Sequence, residues 1–316
     1  MHLLIPFAVP LSEPGRQALH SLALPQLLSL RSLLALLRAG DTEPGDEWSL
    51  STPHERVLAR SFGWAGADGS LPWAAWQAAD DGVLAAGDPP GLAWGLLTPC
   101  HWHLGTEQVS LIDPALLMLD EAGSRALFDA VNGLFTSLGF VMRWGAPLRW
   151  YLAHRSLADL ACASLDRVVG RNIDCWLGAD PALRPIRRLQ GEVQMLLHDH
   201  AINEQRVALG LLPVNSFWLS GCGVAQPTTG TAPQVDDRLR APALAAAWAA
   251  WVKAWDTLDA GPLADLLAAA RRSDDVQLTL CGERSSRNWR RAPRTAMQRF
   301  TGLWRQPDVL PLLEGL

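Results

Sequence analysis

Apolar positions along the chain fall into short continuous runs and into stripes of helical period, and the two alternate. Leu3 to Val9 reads as a short buried strand closed by Pro10. Helical patterns follow over Leu19–Leu37 and Pro53–Trp64, the second with Thr52 as N-cap and Pro53 in its first turn. Ala65 to Pro90 is rich in Gly, Asp and Pro and predicts a surface connection with one helical piece at Trp73–Ala79. Leu92–Leu104 predicts a strand, and Ser124–Leu138 an amphipathic helix ending at Gly139. Phe140–Trp144 and Leu148–Leu152, separated by Gly145-Ala-Pro147, predict a hairpin. The longest helix is expected from Pro181–Pro185 to Gly210, with Ile186, Leu189, Val193, Leu196, Leu197 and Val207 as its stripe. A strand at Val214–Leu219 then runs into a turn at Gly221-Cys-Gly223. Helices at Ala241–Leu258 and Pro262–Arg271 precede a last apolar strand, Val276–Leu280.

This order predicts an α/β fold. A core of residues 1–95 plus 201–316 is expected to be interrupted by an α+β unit at 96–200. The strands at Leu3–Val9, Val214–Leu219 and Val276–Leu280 should share one sheet, because continuous apolar runs need both faces covered. The helix carrying Glu192, His198, His200, Asn203 and Arg206 then becomes a domain junction, with Asn203 and Asn215 bonding main chain at the return.

Composition removes several function classes. The 316 residues are 49% hydrophobic and 19% charged, so a large core is affordable and general disorder is excluded. A net charge of −5 gives no case for a nucleic-acid binder. Of 27 basic residues only Lys253 is lysine, the mark of a GC-rich bacterial genome. The N-terminus lacks the basic region and cleavage site of a signal peptide, and no apolar run is long enough for a membrane span. Five scattered cysteines without a CxxC read as free thiols in a reducing cytosol, so a cytoplasmic location is expected.

Candidate chemistry is sparse. His101-Trp-His103 puts two imidazoles on one side of a strand, where both could reach a divalent metal, with Glu107 near in sequence; the alternative is a solvated strand face. His198 and His200 lie about 200° apart on a helix and cannot share an ion. Gly221-Cys-Gly223 lacks the third glycine of a dinucleotide fingerprint, and Cys222 has no base within view. No histidine follows His200, which excludes a Ser-Asp-His order after this strand. Glu283 to Arg305 carries Arg284, Arg287, Arg290, Arg291, Arg294, Arg299 and Arg305 among Trp289, Phe300 and Trp304, a face for an acidic partner or simply a solvated one. Trp248, Trp251 and Trp255 form one stripe, expected to be core.

The run Leu189-Gln-Gly-Glu-Val-Gln-Met-Leu-Leu-His-Asp-His-Ala-Ile-Asn203, with Arg206, Gly210 and Leu212-Pro-Val-Asn-Ser-Phe-Trp-Leu-Ser-Gly-Cys-Gly223, resembles the RpfE-type regulatory protein family of proteobacteria. The skeleton His200, Asn203, Arg206, Gly210, Pro213, Asn215 and Gly221-x-Gly223 is also similar to the archaeal type of cofactor-independent phosphoglycerate mutase. The resemblance implies an alkaline-phosphatase-related core sheet with an inserted α+β domain. Those mutases use two metal ions, Asp and His ligands and a serine nucleophile, and their first strand ends in Asp-Gly. Here the first strand is followed by Ala8-Val-Pro10, and no histidine lies beyond His200. The expectation is therefore a pseudoenzyme: a non-catalytic protein without cofactor, in a regulatory or interaction role with a protein partner. The rival is a metal-dependent enzyme or a binder of a phosphorylated small molecule. Its candidate ligand residues are His200, Asn203, Arg206, Asn215, Cys222, Arg284 and Arg287, with His101 and His103 for metal.

Overall fold

The structure is a computed structural model and describes residues 1–22, 27–178, 180–291 and 308–316. It divides into two compact units: Met1–Trp48, Thr52–Phe62 and Thr229–Leu316 form the first, Ser49–Ser51 with Gly63–Thr228 the second. The chain begins in the first unit with β1 (His2–Ile5), α1 (Glu13–Ser21), α2 (Leu28–Leu36), β2 (Arg38–Glu43) and α3 (Pro53–Phe62). The second unit follows with α4 (Trp73–Asp80), β3 (Ala93–Cys100), β4 (Trp102–Leu104), β5 (Val109–Leu111), α5 (Glu121–Thr136), β6 (Val141–Ala146) and β7 (Arg149–Ala153). It closes with α6 (Leu165–Val168), α7 (Arg184–His198), α8 (Ala201–Ala208) and β8 (Ser216–Val224). The first unit resumes with β9 (Gln234–Val235), α9 (Arg240–Leu244), α10 (Trp248–Ala260), α11 (Pro262–Arg271), β10 (Gln277–Cys281), β11 (Ser286–Arg290) and α12 (Val309–Glu314).

The first unit is built on a mixed sheet of order β2-β11-β10-β1-β9. β1 runs parallel to β9 and β10, while β11 is antiparallel to β10 and β2. Strand alternation gives the sheet two unlike faces. Leu3, Ile5, Leu278, Leu280 and Trp289 pack under α1, α2, α10 and α11, against Leu19, Leu33, Trp251, Trp255 and Leu266. Trp251 and Trp255 are fully buried, as their stripe predicts, and the Trp251 indole donates to the Phe7 carbonyl at 3.0 Å. The buried Asp259 carboxylate on α10 accepts the amides of Ser29 and Leu30, capping the start of α2. Thr52 and Glu55 form a reciprocal capping box at α3.

In the second unit the sheet is antiparallel, of order β6-β7-β3-β8. α5 and α7 cover one face through Leu127, Phe135, Leu189 and Val193, packed on Leu97, Leu152, Phe217 and Leu219. On the other face, Ala74, Ala75 and Ala78 of α4 lie on Trp94, Tyr151 and Ala153. The Asp81 carboxylate fixes the end of α4 by accepting from Arg149 at 2.8 Å and from the Tyr151 hydroxyl.

Several expectations fail here, each for a local reason. β8 pairs with β3 in the second sheet and does not join β1 and β10. An antiparallel strand covered on both faces gives the same unbroken apolar run as a parallel one, so the run could not name its sheet. The expected limits at 95/96 and 200/201 consequently fall inside the second unit, and so do α7, α8 and β8, which makes their connection internal to it. The long helix breaks at Asp199, where His200 takes a non-helical conformation and its Nδ1 accepts the Ile202 amide, starting α8 afresh. Ala241–Leu258 is likewise two helices, with Ala246 at φ +50 between them. Of the Leu19–Leu37 stripe, α1 and α2 are separate helices, and residues 23–26 lie outside the described residues.

Candidate functional site

The residues that carry the family resemblance come together in the second unit, and each is bonded to main chain. Asn203 on α8 is buried. Its Nδ2 donates to the carbonyls of Leu197 (2.8 Å) and Val214 (2.7 Å), and its Oδ1 accepts the Val214 amide at 2.9 Å. One amide side chain thus joins the end of α7, α8 and the entry to β8. Arg206, three residues on and also buried, donates from Nε to the Leu212 carbonyl at 2.9 Å and from Nη2 to the Leu117 carbonyl. Burial holds its guanidinium below the ordinary arginine range, partly offset by Asp120. Asn215 bridges to Trp102 in both directions: the Trp102 amide donates to Oδ1 at 2.7 Å and Nδ2 donates to the Trp102 carbonyl at 3.0 Å. That pair continues the β3–β8 ladder beyond Cys100 and Ser216, imitating a strand's own hydrogen bonds. Gln190 on α7 donates to the Phe217 carbonyl at 3.3 Å, and Gly210 closes α8 at φ +73.

Gly221-Cys-Gly223 is not a turn. It lies within β8 at a bulge, where the register against β3 shifts between Trp94 and Leu96. Gly221 has φ +63, and a Cβ there would lie 2.9 Å from Trp73 Cβ and 3.0 Å from the Ala74 nitrogen. Glycine is required because α4 presses on the bulge and because the backbone is left-handed. Cys222, which the turn reading exposed as a possible nucleophile, is completely buried.

His101 Nδ1 donates to the Pro213 carbonyl at 2.8 Å, so the ring braces the approach to β8. His103 lies on β4, with its ring centroid 6.4 Å from that of His101. Among the described residues no group of three or more His, Cys, Asp or Glu side chains is gathered where it could hold a metal ion. The two-metal chemistry that the mutase resemblance implies therefore finds no matching donor set among them.

Arg206 also organises a surface. The Leu117 and Leu212 carbonyls on its guanidinium bring together a 3-10 turn (Pro114–Leu117) and the segment after α8. Leu116, Met118, Val207 and Leu209 stand exposed around this anchor, Leu209 at 75% and Met118 at 68%. Over residues 113–121 and 198–215 the one arginine is the buried Arg206, whereas Asp120, Asp199 and Glu204 are exposed and Glu121 pairs with Arg125 at 2.8 Å. These segments therefore expose apolar side chains together with acidic ones.

In the first unit, the face of the sheet turned away from α1, α2, α10 and α11 carries α3 through Val57 on Leu4 and Cys281, and beside it lies an open polar basin of about 430 Å³, lined by His2, Asp41, Arg60, Thr279, Asn288 and Arg290 among others. His2 Nε2 lies 2.8 Å from Thr279 Oγ1. Burial, then the Arg290 and N-terminal charges, push the His2 imidazole from 6.5 down to about 4. Burial raises the Glu43 carboxyl, but Arg60, Ser286 and Arg56 outweigh it and hold the group below its ordinary range. The period-two alternation of Gln277 and Thr279 with Leu278 and Leu280 signals this polar face, which an apolar reading of the strand passes over. Arg284 pairs with Glu47 at 2.9 Å, and Arg287 on β11 donates to the Gly40 carbonyl at 3.0 Å. Each expected phosphate ligand is thus separately engaged. Arg291 donates to Ser273, while Arg294, Arg299, Arg305, Phe300 and Trp304 lie outside the described residues.

No family model and no curated protein matches this chain. Among solved structures, a cofactor-independent phosphoglycerate mutase from Thermoplasma acidophilum DSM 1728 is similar at 14% identity and a TM-score of 0.38, over 100% of this chain and 99% of that one. The PH0037 protein from Pyrococcus horikoshii is similar at 11% identity and a TM-score of 0.43, over 93% of this chain and 88% of that one. Likeness of that degree assigns neither family nor activity.

Proposed function

We propose that this protein acts by binding and not by catalysis, as a regulatory or interaction protein on a phosphoglycerate-mutase-like α/β core. The observation that carries the reading is the use made of the motif: Asn203, Arg206 and Asn215 direct their donors and acceptors at main chain, and the segments they fix present the exposed apolar side chains Leu209 and Met118. Phosphoryl transfer needs charge-stabilising groups converging on one reacting centre, whereas these groups converge on the backbone. The exposed Asp120, Asp199 and Glu204 in the same segments favour a protein partner that presents apolar side chains flanked by Lys or Arg. A coupled assay of 2- and 3-phosphoglycerate interconversion with manganese, cobalt or zinc tests the non-catalytic half. No turnover above a heat-killed control is expected, and turnover lost on substitution of Asn215 overturns it. A second reading, a phosphorylated small-molecule ligand, rests on Arg290 at the polar basin. Calorimetry with 3-phosphoglycerate supports that reading if heat of binding appears and disappears in Arg290→Ala.

A further inference from the structure

Two of the five cysteines meet. Cys162, in the loop before α6, and Cys222, in the bulge of β8, are 60 residues apart in sequence and have their Sγ atoms 3.7 Å apart. Both are buried. Space for the pair is made by Gly95 on β3, where a Cβ would lie 3.1 Å from Cys222 Sγ. The two sulfurs differ in access. Cys162 lines a small cleft of about 30 Å³ with Trp176, Leu183, Gln190 and Trp218, whereas Cys222 sits behind it and does not line that cleft. A cleft of that size has room for about two water molecules, and so for one hydrogen peroxide.

We propose that Cys162 and Cys222 are an oxidative modification site, closed to an intramolecular disulfide by hydrogen peroxide entering through this cleft. In the first step the Cys162 sulfur attacks one peroxide oxygen and the O–O bond breaks. Cys162 becomes a sulfenic acid, two electrons pass to the peroxide, and one water leaves. In the second step the Cys222 sulfur attacks the Cys162 sulfur. The S–O bond breaks, the hydroxide leaving group takes the Cys222 proton, and a second water leaves. The overall balance is two thiols and one peroxide giving one disulfide and two waters. The hydrogen bond to Cys162, and then burial, hold the Cys222 thiol well above its ordinary range. Cys222 is therefore a neutral thiol at neutral pH, and the closing step is slow compared with that of a catalytic thiol. The product ties the loop before α6 to the bulge over which α4 packs, so it stiffens the second unit by closing a long loop.

The experiment uses the full chain with Cys175→Ser, which removes the exposed thiol. Reduced, desalted protein is treated with hydrogen peroxide, blocked with iodoacetamide in denaturant, and read by intact mass and peptide mapping. The expected result is a monomer lighter by two hydrogens, with the Cys162 and Cys222 peptides joined, reversed by dithiothreitol, and a thermal midpoint higher by several degrees. The same treatment of Cys162→Ser should leave Cys222 alkylatable. If the native protein keeps both thiols while urea-unfolded protein forms disulfides, or if another pair is joined, the proposal is overturned. The wild-type mapping decides the question even where a cysteine variant does not fold.

Discussion

The two sheets put polar side chains to opposite uses. In the second unit Asn203 and Arg206 are buried and hold main-chain groups of segments that would otherwise have no partner. In the first, Asn288 and Arg290 face an open basin, the buried Thr279 pairs with His2 beneath it, and Glu43 is satisfied by its charged neighbours Arg60 and Arg56. A buried polar group bonded to backbone is costly to remove because it leaves orphaned donors and acceptors, whereas a solvated one is not. Polar residues that look alike in sequence therefore carry different meanings, and substitutions separate them.

The largest loss is expected for Asn203→Ala, which orphans the Val214 carbonyl and amide and takes one donor from the Leu197 carbonyl: about 3 kcal/mol by urea denaturation. A loss below about 1 kcal/mol would erase the contrast between the sheets. Gly221→Ala should follow at about 2–3 kcal/mol, from left-handed backbone and contact with Trp73. In the first unit, His2 supplies a pH dependence of defined sign. Its folded pKa is lowered to about 4 from 6.5, so below pH 6.5 the unfolded chain gains a proton that the folded chain refuses. Stability should fall as pH drops through that window and level off below it, and His2→Gln should flatten this part of the profile. The smallest effect is expected at the basin itself. Asn288→Ala should change stability by less than about 0.5 kcal/mol, and a larger loss would mean that the basin is structural too.

Local order was legible wherever one physical signal dominated. The N-cap at Thr52, the hairpin of β6 and β7, and the tryptophan stripe of α10 stand where periodicity and turn chemistry place them. The main-chain bonds of Asn203 and Asn215 were readable from the value of an amide at a crowded return. Sheet membership was not, because the run Phe217–Leu219 is equally apolar in either sheet and only the long-range pairing with β3 decides. The bulge at Gly221-Cys-Gly223 escaped for a related reason: its glycines answer to α4, which is distant in sequence. The exposed apolar side chains were invisible because Val207 reads as helix stripe, and the break at His200 redirects that face to solvent.

The proposed role of Asn203, Arg206 and Asn215 is to fix a binding surface and not a reactive centre. Its most direct test is fluorescence anisotropy of a labelled amphipathic Leu/Lys helical peptide, titrated with the native protein and with Met118→Glu/Leu209→Glu. Both residues are exposed, so the variant should keep its thermal midpoint. Saturable binding by the native protein is expected, weakened at least about tenfold in the variant and absent for a Leu/Glu peptide. Equal binding by both proteins, or by both peptides, would contradict it.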